Sequence, residues 1–150
     1  MTRYRVTLLA VGVLLAADAP KDDAQKDQEA LQGTWRPVSS EQGGKDQTDE
    51  AKDHTLTFEK DTFTVKKGDE VRIKGTFKVD PSKKPKTIDM TITEGRKEQD
   101  NGKELHGIYE LTKDGLKWCT GEPGETDRPT EFATKEGAKH LLVSFQKEKP

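Results

Sequence analysis

Cysteine is almost absent from this chain: Cys119 is the only one in 150 residues. A single thiol makes no intramolecular disulfide, so the fold must hold by its core alone. Large apolar side chains are scarce too. From residue 20 onward there are 21 Leu, Ile, Val and Phe, about 16%, below the roughly 20% at which composition warns of disorder. Disorder also needs a high net charge, and here 26 Lys and Arg face 28 Asp and Glu with both signs interspersed. That balance excludes the electrostatic footprint of a nucleic-acid or anionic-membrane binder. Catalytic signatures are missing as well. None of Ser39, Ser40, Ser82 and Ser144 sits in a Gly-x-Ser-x-Gly elbow, and Gly43-Gly44 precedes no helix and no Lys-Ser/Thr pair of a phosphate loop.

One long apolar run is present, Val6 to Ala17. It is shorter than the roughly 20 residues a membrane helix needs, so no membrane span is expected. Arg3 and Arg5 precede it and the small-x-small triplet Ala17-Asp18-Ala19 follows it. Residues 1–19 therefore read as a secretory signal peptide, with export to the periplasm or the extracellular space, and no lipobox cysteine suggests a lipid anchor. Pro20 disfavours a cut directly before it, which moves the expected cleavage to a neighbouring alanine. The mature chain then carries a net charge of −3, with room for one domain.

Residues 20–32 form a polar leader, helix-permissive, that ends in a short helix or turn stopping at Gly33. From Trp35 the hydrophobic period becomes two. "EVRIKGTFKV" puts Val71, Ile73, Gly75, Phe77 and Val79 on one face and Arg72, Lys74, Thr76 and Lys78 on the other. The same parity places Leu56, Phe58, Phe63, Val65, Ile88, Met90 and Ile92 inside. It does so again for Leu105, Tyr109, Leu111, Leu116, Trp118, Leu141, Val143 and Phe145. Turn residues fall between these runs at Lys60-Asp61, Lys67-Gly68-Asp69, Pro81 to Pro85, Asp100-Asn101-Gly102, Asp114-Gly115 and Glu136-Gly137. Short connections force antiparallel neighbours. The expectation is an all-β, up-and-down meander of eight or nine strands over residues 33–150, closing into a small barrel, because closure removes exposed edges and about eight strands enclose a filled core or one small ligand.

"LQGTW" opens this meander, and Gly33 with Trp35 resembles the Gly-x-Trp signature of the lipocalin and fatty-acid-binding superfamily. Together with "GLKWCTGEPGETDRPTEFAT", Gly115 to Thr134, and the last strand "HLLVSFQK", the chain is similar to a family of lipocalin-like domains of unknown function from planctomycete bacteria. The resemblance implies a lipocalin-like barrel with Trp35 near the closed end, where a flat side chain after a turn-permitting Gly plugs the barrel; Trp35 as one more core aromatic is the plainer alternative. In lipocalins an arginine near the end of the last strand covers this Trp. Gln146 and Lys147 stand there instead, and Arg128, the only arginine after Arg96, is the expected cation over the ring.

No constellation for catalysis or metal binding emerges, so no enzyme, no cofactor and no metal site is expected. His54 shares inward parity, while His106 and His140 point outward. Cys119 follows the inward Trp118, so it faces out or into a second layer with no local histidine to activate it. Asp89, Glu59, Glu104 and Glu110 belong to outer faces, and the basic tip "PSKKPK" reads as a solvated loop. The interior is left. Phe58, Ile73, Phe77, Met90, Tyr109 and Trp118 are the expected ligand-binding residues for a small apolar molecule, with the Tyr109 hydroxyl and the Trp118 indole as its polar contacts. Gly75 and Gly107 either make room for that molecule or let strands coil tightly. The expected function is a secreted, non-enzymatic lipocalin-like binding protein. The alternative is a filled barrel acting as an envelope or extracellular interaction module whose protein partner the sequence leaves open.

Overall fold

The computed structural model describes residues 19–149; the signal-peptide reading falls outside them except for Ala19. Helix α1 (Ala19–Leu31) leads into β1 (Gly33–Gln42). There follow β2 (Lys45–Asp46), the single turn α2 (Thr48–Ala51), β3 (His54–Glu59), β4 (Thr62–Lys67), β5 (Glu70–Asp80), β6 (Thr87–Glu94), β7 (Glu104–Leu111), β8 (Gly115–Thr120) and β9 (Leu141–Lys147). Neighbours in sequence pair antiparallel from β3 to β9, β1 pairs with β3, and β9 returns to β1. Eight strands therefore close an up-and-down barrel, and β2 is a short extra strand hairpinned to the end of β1. Among the described residues no helix is long and apolar enough to cross a membrane.

The alternating pattern explains this closure. Every large apolar residue placed inside by parity joins the core or packs against it except Val71, which is 43% exposed. A bulge is the reason: Val65 pairs with Ile73 while its neighbour Lys66 pairs with Val71, so Arg72 is an extra residue in β5. An extra residue reverses facing on one side of itself. Val71 turns out, and Arg72, expected on the charged face, turns to the interior.

One end of the barrel is filled. Trp35 is 1% exposed, and its Nε1–H donates to the Leu31 carbonyl at 2.8 Å, so the last turn of α1 and the first strand are clasped together. Gly33 between them has φ +115°, a conformation side chains rarely adopt, which lets the helix fold back under the strand. The cation over Trp35 is Lys147, its Nζ 5.5 Å from the ring centroid, and not Arg128. Lys147 leaves the end of β9 beside β1, so barrel closure itself delivers it. The polar leader is thus part of the domain. Gln28 and Gln32 both donate to the Lys60 carbonyl in the β3–β4 turn, at 3.1 and 2.9 Å, and Gln32 accepts from the Lys60 N–H. Asp27 accepts from the Tyr109 hydroxyl at 2.6 Å and from Lys86 at 3.0 Å.

A second layer forms outside. The segment 121–140 between β8 and β9 lies over β7 and β8, and the outward-facing Ile108 and Cys119 are buried to 1% and 0% exposure. Arg128 anchors this segment. Its Nη1 donates to the carbonyls of Ile88 and Gly107, and its Nη2 to Asp89 at 2.6 Å.

Candidate functional site

The other end of the barrel is hollow. Below it, Phe58 meets Phe77 at 4.8 Å between centroids and Trp118 at 6.5 Å, and Trp118 meets Phe145 at 5.0 Å, all edge to face. These rings fill the cross-section and form a floor. Above them lies a cavity of about 950 Å³ walled by Leu56, Phe63, Val65, Ile73, Met90, Ile92, Leu105 and Val143. It reaches solvent between α2, the β6–β7 loop and the start of the 121–140 segment, where exposed Glu50, Arg96, Lys97 and Lys139 line it. Such a size lies within the range of small-molecule sites, which are mostly apolar with few placed polar groups.

The sequence-expected ligand residues divide by depth. Ile73, Met90 and Trp118 line the cavity. Phe58 and Phe77 do not line it and pack within the core. Tyr109 also falls below the cavity: its hydroxyl is spent on Asp27, and burial, reinforced by that bond, pushes the phenol above its ordinary range. The glycine alternative resolves toward tight coiling. A Cβ on Gly75 would collide with the Thr91 carbonyl oxygen, and one on Gly107 would sit 2.7 Å from that of Cys119, so backbone already occupies the space.

Three side chains in the cavity wall carry a buried polar atom with no hydrogen-bond partner in the protein: His54 Nδ1, Arg72 Nε and Trp118 Nε1. Parity marks His54 and Trp118 as inward. Arg72 was illegible, because its facing depends on how β5 registers against β4.

On the outer wall, the Asp89 carboxylate receives Arg128 at 2.6 Å and His106 Nδ1 at 2.7 Å, and Glu104 lies 3.4 Å from His106 Nε2. Desolvation raises the Asp89 pKa, but the bonds from His106 and Arg128 outweigh it and hold the carboxyl below its usual value. This cluster pins the 121–140 segment. The Cys119 thiol is pushed up to about 11, chiefly by burial, which removes the thiolate a nucleophile needs. Among the described residues no three His, Cys, Asp or Glu side chains converge as a metal-ligand set. No protein-family model, curated protein or solved structure matches the chain.

Proposed function

We propose that this chain is an exported, non-enzymatic, lipocalin-like binding protein that holds one small, mainly apolar molecule in the upper half of its barrel. The observation carrying this reading is the cavity of about 950 Å³ above the aromatic floor. Core packing normally leaves few voids larger than a water molecule, so a space of this size on an apolar lining is a site rather than a packing defect. The Gly33/Trp35 pair and the Gly115 to Thr134 motif support placement with the planctomycete lipocalin-like domains, and the basic, apolar, small-x-small run in residues 1–19 supports export.

A wholly filled barrel serving as an interaction module accounts for the lower half only. Its surface also offers little apolar area for a partner: among the described residues the exposed large hydrophobics are Val38 and Val71, single side chains on β1 and β5.

Native mass spectrometry of the protein exported by its own cell tests the reading. A reproducible adduct, on the order of a few hundred daltons and lost on denaturation, is expected for a ligand of this site. The bare mature mass, together with no uptake of added apolar ligands, sinks it.

A further inference from the structure

We propose that the 121–140 segment is an acid-released cover on the outer wall of β7 and β8, and that the Asp89–Arg128 pair is its latch. The inference is independent of what the cavity holds.

The segment has no helix or strand of its own. Backbone bonds tie its first residues down: the Gly121 N–H donates to the His106 carbonyl at 3.0 Å and the Gly124 N–H to the Glu104 carbonyl at 2.9 Å. Beyond Gly124, side chains do the fastening. Among the described residues two of them reach the barrel, and each ends on a carboxylate. Arg128 Nη2 donates to Asp89 at 2.6 Å, and the Thr134 hydroxyl to Glu41 at 2.5 Å. Phe132 is the one large apolar side chain the segment brings, and what it helps to cover is Ile108 and Cys119. The two ends, at Glu122 and Lys139, stand on the cavity rim, so release of the segment also reaches the mouth.

Asp89 is the centre of the latch. Arg128 and His106 both donate to its Oδ1, Lys78 on β5 stands in register with it, Asp80 lies further along β5, and Glu104 on β7 faces the other side of His106. Ionised, the Asp89 carboxylate offsets these cations. Protonated, it leaves Arg128 among Lys78 and an imidazole that acid has charged. The carbonyls of Ile88 and Gly107 remain as acceptors but bring no counter-charge. Burial raises the Asp89 pKa and the bonds from His106 and Arg128 outweigh it, so the carboxyl titrates below its ordinary value. The latch is therefore complete above the ordinary carboxylate value and is lost as pH falls through the lower, folded one. The barrel beneath is joined by backbone ladders around an apolar core, so the cover opens as a unit of its own before the barrel does.

In the full mature protein, labelling of Cys119 with a dithiodipyridine reagent, which stays reactive in acid, reads the cover. Hydrogen exchange of β4, β5 and β6, followed by mass spectrometry, reads the barrel. Relative to a free-thiol control at each pH, Cys119 is expected to react about tenfold faster or more at about pH 3 than at about pH 6, while those strands keep their protection. Asp89→Asn keeps the size and removes the charge; it should raise the rate at about pH 6 several-fold and flatten the pH dependence. Arg128→Gln makes the same comparison from the other side of the pair, so a misfolded Asp89→Asn does not spare the proposal. A rate that does not rise in acid overturns it. So does a rise that comes only with loss of protection in β4 to β6, because the whole barrel then opens at once. Either variant, folded and keeping the wild-type pH dependence, assigns the acid response to other groups and overturns the latch.

Discussion

The Tyr109 hydroxyl donates to the Asp27 carboxylate at 2.6 Å, joining two residues 82 positions apart and tying α1 to the barrel wall. Lys86 closes the other side of the same carboxylate at 3.0 Å. The base of the barrel is therefore held by a helix that carries few apolar side chains, through part-buried polar bonds in addition to the buried Leu31. Such bonds are strongest as a completed set.

Asp27→Asn keeps the size and removes the charge. It should lower unfolding stability by about 1–3 kcal/mol in a denaturant titration, the usual scale for a partly buried charged hydrogen bond. The Tyr109 bond also sets an alkaline limit. Its folded pKa is raised, so the protonated phenol's contribution is fully present below the unfolded tyrosine value and is lost as pH rises from there toward the folded one. Stability measured from pH 9 upward should fall more steeply in the wild type than in Tyr109→Phe; parallel curves would mean that the hydroxyl is not engaged.

Trp35 fills the closed end with an indole anchored to Leu31 and covered by Lys147. Trp35→Ala should cost about 3–5 kcal/mol, the range for emptying a buried aromatic site. A loss under about 1 kcal/mol would place the ring in solvent and contradict closure at this end.

Cys119 sits between the barrel wall and the 121–140 segment, its Sγ 3.9 Å from the Ala133 carbonyl oxygen. At neutral pH an aromatic disulfide reagent should react only as fast as the segment opens. Arg128→Ala, which frees the segment from Asp89 and the Ile88 and Gly107 carbonyls, should raise that rate by an order of magnitude or more. Immediate reaction in the native wild type would show that the second layer is not packed.

Gly75→Ala tests whether strand coiling needs the missing side chain. The added methyl meets the Thr91 carbonyl oxygen and the Phe63 ring, and the strand pair has to spread. A destabilisation of at least about 1–3 kcal/mol is expected from thermal or denaturant unfolding. A neutral result would mean that the space at Gly75 is open.

The barrel was legible in the chain because its information is local. Parity between adjacent residues and turn chemistry between runs specify antiparallel neighbours, and a half-buried eight-strand meander has to close or expose its edges. Gly33 and Trp35 marked the closed end for the same reason: the turn and the ring are two residues apart. What tertiary structure decided was everything set by partners distant in sequence. Whether Arg72 points in or out depends on the β4–β5 register, and one bulge exchanged it with Val71. Lys147 rather than Arg128 covers Trp35 because β9 ends beside β1, while Arg128 is drawn to carbonyls and a carboxylate on β6 and β7. Docking of α1, through Asp27 and Gln32, claimed the lower half of the barrel and Tyr109 with it. The division between a filled base and an open cavity above is the sum of those long-range choices, and a period of two along a strand carries no record of depth along the barrel axis.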